Sequence, residues 1–239
     1  MTATPAERVC IALDFPERTK TLAMASRLAG RAGWMKVGLE AFVAAGPSLV
    51  AEVAAASRAK VFLDLKFHDI PATVAGAVAS AARTGAAMVN VHASGGRAML
   101  EAAREAADRA GLERLIAVTL LTSLDARALA DLPIAGHPEG IARRLALLAK
   151  ACRLEGVVCS ATDLPAIREA CGSEFFTVVP GIRPAGADVG DQKRVATPAS
   201  ALGAGADLLV IGRPVTAAPD PESALAAILE EIGAAASRR

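Results

Sequence analysis

Tyrosine is absent from this sequence, and one Trp and six Phe hold the aromatic share to 3% of 239 residues. So few aromatic faces exclude a stacking platform for single-stranded nucleic acid. Histidine is scarce as well, at three residues: His68, His92 and His137. Acid–base chemistry in this chain therefore falls to Lys, Asp and Glu. No charge of one sign prevails, since 26 basic residues face 25 acidic ones for a net +1. That balance excludes the basic surface that a nucleic-acid backbone or an anionic membrane attracts. No run approaches about 18 consecutive apolar residues, so no transmembrane helix is expected. The opening MTATPAERVC lacks the positive and then apolar order of a signal peptide. Four cysteines, Cys10, Cys152, Cys159 and Cys171, form neither CxxC nor a metal-ligand spacing. They are expected as reduced, buried thiols in a cytoplasmic protein. Disorder is excluded in turn, because the chain is 53% hydrophobic and nearly neutral.

What is abundant is alanine, at 57 residues. Eight short runs rich in Val, Ile and Leu punctuate the Ala-rich stretches: 9–14, 34–39, 60–66, 88–93, 115–121, 156–161, 176–182 and 208–213. Between them lie amphipathic segments such as 17–31, 72–85, 97–111 and 139–153, where Ala favours helix and permits close packing on a sheet. Strands alternating with helices indicate a parallel sheet covered by helices. Eight such units in about this length fit an α/β fold of the (β/α)8 TIM-barrel type. A doubly wound open sheet is the alternative, but it usually carries GxGxxG after its first strand, where this chain has Asp14-Phe15-Pro16. No linker or low-complexity segment divides the chain, so residues 1–239 are expected to form one barrel domain. Two longer connections stand out, 122–138 with a short helix and the polar 183–196. In a barrel such loops border the active site, and the second is a lid candidate.

Alternation along the strands decides where the charges point. Val61, Leu63 and Leu65 share one face; Phe62, Asp64 and Lys66 share the other. Trp34, Lys36 and Gly38 oppose Met35, Val37 and Leu39. Cys10, Ala12 and Asp14 oppose Val9, Ile11 and Leu13. With the aliphatic faces under helices, Asp14, Lys36, Asp64 and Lys66 point into the barrel near its C-terminal mouth, and Asp69 follows just past the third strand. Isolated buried charges are costly, so these groups must pair. One reading is an ion-pair network that satisfies only itself. The other is catalytic machinery, because Val or Leu would pack such positions better. An ammonium held among carboxylates keeps its charge, which suits Lys66 as a proton donor and not as a Schiff-base nucleophile. Gly212 and Arg213 end the eighth strand, where barrels often bind phosphate. Glycine allows close backbone approach there, and Arg grips phosphate oxygens in a fork. Arg183 and Gln192, in or beside the polar loop, complete that grip.

These residues carry a family resemblance. DLKFHDIPATV (64–74) is similar to the DxKxxD-I-P motif of the orotidine 5′-phosphate decarboxylases. ALDF (12–15), MKVGLE (35–40), NVHASGG (90–96), VTLLTS (118–123), VVPGIRP (178–184), DQKRVATP (191–198) and ADLLVIGRP (206–214) follow in that family's order. The resemblance implies loss of CO2 from orotidine 5′-phosphate to give UMP, the last step of de novo pyrimidine nucleotide synthesis, with no metal and no organic cofactor. It implies catalytic roles for Lys66, Asp64, Lys36 and Asp69. Lys66 would stabilise the C6 carbanion and protonate it; Asp64 would stress the substrate carboxylate or simply orient Lys66. It implies substrate contacts from Asp14 and Lys36 at the ribose, from Ile70 and Thr73, and from Thr122 (or Ser123) at the pyrimidine edge. Arg183, Gln192, Gly212 and Arg213 would close around the phosphate or base edge. The family is dimeric, so a homodimer is implied, with Asp69 and Ile70 entering the neighbouring site. His68 and His92 are expected to support the site without reacting, and His137 to face solvent. Two rivals stand beside this reading: a metal-dependent sugar-phosphate enzyme of the same barrel group, and a silent barrel that binds a phosphorylated ligand. Lys36, where the first rival places a metal-binding Glu, argues against the first. Retention of the whole charged array argues against the second.

Overall fold

The computed structural model describes residues 3–131, 134–184 and 196–236. Eight parallel strands close into a barrel in sequence order. They are β1 (Val9–Ala12), β2 (Trp34–Gly38), β3 (Lys60–Phe67), β4 (Met88–His92), β5 (Arg114–Val118), β6 (Gly156–Val158), β7 (Phe176–Val179) and β8 (Leu208–Ile211). Pairing of β1 with β8, Val9 opposite Leu209, closes the ring and leaves no sheet edge. The helices are α1 (Arg18–Arg27), α2 (Leu39–Ala45), α3 (Ser48–Ser57), α4 (Pro71–Ala82), α5 (Gly96–Ala110), α6 (Ala126–Leu129), α7 (Pro138–Ala151), α8 (Leu164–Cys171), α9 (Pro198–Gly203), α10 (Arg213–Thr216) and α11 (Pro221–Ala236). The expected TIM barrel is therefore the observed one. No single helix among the described residues is long and apolar enough to cross a membrane.

The alternation of side chains produces two separate apolar cores. Val9, Ile11, Met35, Val37, Val61 and Leu63 belong to the larger core between sheet and helices. Cys10, Ala12, Trp34, Phe62, Met88, Ile116, Val118, Val158, Val178, Leu208 and Val210 fill the barrel interior. Each fully buried Leu, Ile or Phe contributes about 1.5–3 kcal/mol. In α5, Met99, Leu100, Ala103, Ala106 and Ala107 are buried, the spacing of one helical stripe. Alanine in that stripe lets α5 lie close against its neighbour α4. All four cysteines are free and buried.

Most strands are shorter than the apolar runs that encode them, and four of them, β1, β6, β7 and β8, end at a recognisable local device. Phe15 N–H bonds to Leu13 C=O at 3.1 Å, so Asp14 occupies the apex of a turn just beyond β1 instead of lying on the strand. After β6, the Ser160 hydroxyl caps the 3-10 turn Ala161–Asp163, and Asp163 reciprocates to the Ser160 backbone. Pro180 follows β7 and has no N–H to extend the ladder. Gly212 starts α10 directly after β8. β6 has its own constraint: a Cβ on Gly156 would lie 2.0 Å from the Phe176 carbonyl oxygen. Only glycine lets the β6 and β7 backbones approach in this way.

Candidate active site

A cavity of about 470 Å³ opens at the C-terminal ends of the strands. Its floor is interior core: Ala12, Phe62, Val118, Val158 and Val210 line it from below the charged groups. On one side stand Asp14, Lys36, Asp64 and Lys66. On the other stand Gly181, Arg183, Gly212 and Arg213, with Thr122 on the wall after β5. The barrel thus gathers in one concavity residues that are up to about 200 positions apart in the chain.

The charged side is a continuous chain of contacts. Lys36 Nζ donates to Asp14 Oδ1 at 2.7 Å and stands 3.5 Å from Asp64 Oδ2. The other Asp64 oxygen, Oδ1, accepts from Lys66 Nζ at 2.7 Å. Lys36 and Asp64 are only 7% and 8% exposed, so each charge relies on the others in place of water. Burial pushes the Lys36 ammonium down, but Asp64 and Asp14 outweigh it and hold Lys36 above its ordinary value. Burial likewise pushes the Asp64 carboxyl up, and Lys36, Lys66 and the bond from Asn90 carry it below the usual carboxylate range. Both stay ionised at neutral pH. Burial pushes up the thiol of Cys10, beneath this array, so it stays protonated and is no nucleophile.

β3 delivers two of these groups through a distortion. Its register against β4 shifts between Leu63 and Phe67, and Lys66 lies in the left-handed region at φ 52°. A non-glycine residue there is uncommon and costs about 1–3 kcal/mol, a pattern concentrated at functional sites. Asn90 of β4, fully buried, holds the distortion: its Nδ2 donates to Asp64 Oδ1 at 2.7 Å and its Oδ1 accepts from Lys66 N–H at 2.8 Å. Gly38 matters on the other flank. A Cβ there would come within 2.6 Å of Lys36 Nζ and 2.8 Å of Asp14 Oδ1, so the missing side chain is the space the Lys36–Asp14 pair uses. By contrast, a Cβ on Gly212 would make only an ordinary 3.5 Å contact with Ala12. Packing does not require glycine there, and the position faces the open cavity.

The residues expected from sequence thus divide. Asp14, Lys36, Asp64, Lys66, Thr122, Arg183, Gly212 and Arg213 share the cavity. Asp69, Ile70 and Thr73 do not line it. Asp69 Oδ1 accepts from Ile70 N–H at 2.6 Å at the start of α4, and Asp69 and Ile70 border a separate surface hollow with His68 and Pro71. Gln192 lies outside the described residues, as do 185–195 of the proposed lid. His68 and His92 stack loosely, ring centroids 5.4 Å apart. Burial, with His68 and Lys66 nearby, holds His92 below the usual imidazole range. His137 is exposed at the start of α7. Sequence reasoning missed Asn90, Gly38 and the cavity residues Glu40 and Thr216. Asn90 was the findable one, as a polar residue at an inward position of β4.

Comparison with known proteins agrees with this geometry. Residues 7–228 match the Orotidine 5'-phosphate decarboxylase / HUMPS family. The chain belongs to that family. The orotidine 5'-phosphate decarboxylase of Halorhodospira halophila is 54% identical over 229 residues, covering 95% of this chain and 97% of that protein. That of Nitrosococcus oceani is 52% identical over 226 residues, covering 94% and 97%. Among solved structures, the enzyme of the same name from Lactobacillus acidophilus superposes with TM-score 0.83 at 33% identity over 95% of this chain and 99% of its own. An uncharacterized conserved protein from Geobacillus kaustophilus superposes with TM-score 0.81 at 40% identity over 94% and 99%.

Proposed function

We propose that this family member is an orotidine 5′-phosphate decarboxylase, a cytoplasmic carboxy-lyase that forms UMP in the last step of de novo pyrimidine nucleotide synthesis. Its named relatives and the (β/α)8 barrel support the reaction. The observation that carries the mechanism is the Lys36–Asp64–Lys66 chain facing Gly212 and Arg213 across one cavity. That geometry accommodates a molecule with a phosphate at one end and a reacting centre at the other.

In the reaction the bond between C6 and the carboxylate breaks, and CO2 leaves. The electron pair stays on C6 in the ring plane, where the π system cannot delocalise it. A fixed ammonium is the group that stabilises such a pair, because its charge is oriented before the pair develops. Lys66 fills that role and then transfers its proton to C6; solvent reprotonates the amine. Asp64 holds Lys66 by a 2.7 Å bond and places a negative charge beside the substrate carboxylate. Lys36 and Asp14 form the ribose side of the cavity. Thr122 meets the pyrimidine edge, while Arg183, Arg213, the Gly212 backbone and Gln192 hold the phosphate or base edge. Phosphate binding far from C6 then contributes to lowering the barrier there.

The reading needs no metal: Lys36 supplies positive charge between Asp14 and Asp64, where a cation would otherwise sit. It also makes the protein a homodimer. Asp69, Ile70 and Thr73 stand outside the cavity of their own chain, and Asp69 and Ile70 would reach the neighbouring one. The exposed Leu39, Val43 and Ile70, which follow the adjacent strands β2 and β3, supply apolar surface for that contact. The deciding assay follows UMP formation from orotidine 5′-phosphate with excess EDTA. Turnover should persist undiminished. No turnover, or turnover restored only by Mg2+, would sink the reading. Lys66→Ala should lose at least about 100-fold in kcat, the usual scale for removing a positioned acid, with only a modest fall in melting temperature, because Asp64 keeps Lys36 and Asn90 as partners. A Lys66→Ala enzyme as fast as the wild type would remove Lys66 as proton donor.

A further inference from the structure

We propose that Asn90 is a positioning residue for the decarboxylation, fixing the Asp64 carboxylate and the Lys66 backbone together. The proposal rests on Lys66 being the group that meets C6.

The register shift is the starting point. Leu63 pairs with Val89, and the next pair is Phe67 with Val91. Four steps along β3 therefore match two along β4. Within that stretch β3 turns two side chains inward, Asp64 and Lys66, and β4 turns one inward, Asn90. A single residue must satisfy two. The carboxylate of Asp64 needs a donor, and the N–H of Lys66, displaced from the regular ladder, needs an acceptor. A side-chain amide has one of each, and Asn90 uses both, at 2.7 Å and 2.8 Å. The opposite orientation would set its oxygen against the carboxylate and its NH2 against the N–H, so the partners fix which way the amide points.

The contacts close a ring. Asp64 Oδ1 accepts from both Asn90 Nδ2 and Lys66 Nζ, and Asn90 Oδ1 holds Lys66 at its backbone. The ammonium is thereby tethered at both ends of its own residue, with its φ of 52° held by the second tether. Other residue types cannot make both contacts. Ser and Ala do not span the gap, Gln is one methylene too long, and Asp when ionised has no donor and repels Asp64. No role for Asn90 other than this bracing is visible: it is 0% exposed and does not line the cavity.

The test uses Asn90→Ala and Asn90→Asp in the intact enzyme, with Lys66→Ala in parallel. Kinetics, affinity for UMP and melting temperature are measured for each. Asn90→Ala should lose about 100-fold in kcat, the scale of a misplacement near 1 Å, while UMP affinity and KM shift less than about threefold. A purely structural role would lower the melting temperature and leave the kcat of the folded enzyme intact. Asn90→Asp has nearly the same shape and keeps the test alive if the alanine variant does not fold. The groups around the introduced carboxyl are Asp64 and Lys66 on β3, Lys36 on β2 and His92 on β4, while Ile116 pairs from β5 without charge. Only when protonated can that carboxyl donate to Asp64 and accept from Lys66 N–H. The kcat of Asn90→Asp should therefore fall as pH rises through the titration of the introduced carboxyl, a limb the wild type lacks. Wild-type kcat in Asn90→Ala, or a pH profile of Asn90→Asp that coincides with the wild type, overturns the proposal. Should Lys66→Ala alone match the wild type, the reading of Lys66 fails first, and the two failures are told apart.

Discussion

Asp64 is the residue on which the charged array depends. It separates two ammonium groups, is almost fully buried, and accepts from Asn90 as well. Replacing it with Ala leaves Lys36 buried among fewer partners, which should destabilise the fold by about 3–5 kcal/mol. The pH dependence follows from the shifted groups. A carboxyl held below its ordinary range contributes stability that is complete above about pH 4 and disappears as pH falls through its folded value. An ammonium held above its ordinary range contributes stability that is complete below about pH 10 and disappears as pH rises through its folded value. The melting-temperature gap between wild type and Asp64→Asn should thus be widest near neutrality and close in acid as pH falls through the depressed folded value of Asp64. A gap constant from neutrality into acid would refute the ion-pair account. Arg213 gives the second prediction at this scale. Arg213→Ala should weaken orotidine 5′-phosphate binding by roughly tenfold or more, the worth of one charge-assisted contact, and leave binding of the unphosphorylated nucleoside unchanged. Equal weakening of both would remove the phosphate assignment.

The elements show where pattern reading succeeds and where it stops. Period-two alternation placed Val61 and Leu63 outside and Phe62, Asp64 and Lys66 inside, and the two cores follow that division. The cysteines of β1 and of the turn after β6 are buried and free, as the lack of CxxC implied. The strand ends were not legible in the same way. Apolar runs continue past Ala12, Val158 and Val179, but a turn, a capping box and a proline stop the ladders there. The shift in β3 was also hidden, because Leu63-Asp64-Leu65-Lys66-Phe67 alternates without a break and only pairing with β4 shows that one neighbour faces two. At this scale Gly156 is the sharpest test. Gly156→Ala forces a Cβ against the Phe176 carbonyl, so the β6–β7 ladder must part. The expected cost is at least about 3 kcal/mol, the upper range for overpacking a tight interior, read as a lower denaturant midpoint. An unchanged midpoint would mean the two strands separate freely.

For the whole molecule, three residues bear on assembly. Asp69, Ile70 and Thr73 belong to the expected site yet lie outside the cavity of their own chain. If a second chain supplies them, two defective variants should repair each other. Lys66→Ala and Asp69→Ala, each inactive alone, should recover roughly a quarter of wild-type turnover when unfolded and refolded together, because half the dimers then carry one intact site. Absence of recovery, with mixed dimers demonstrated, would place each site within one chain.

The sequence by itself determined the barrel, the inward direction of Lys36, Asp64 and Lys66, and the placing of Gly212 and Arg213 at the mouth. All of these follow from local periodicity and from the order of strands, which neighbouring residues carry. Tertiary structure alone decided the rest: that Asp14 sits on a turn beyond β1, that Lys36 bridges Asp14 and Asp64 through space left by Gly38, and that Asn90 braces Lys66 in a left-handed conformation. Those are relations between strands. They depend on register and on how closely neighbouring strands approach, and no single stretch of chain encodes them.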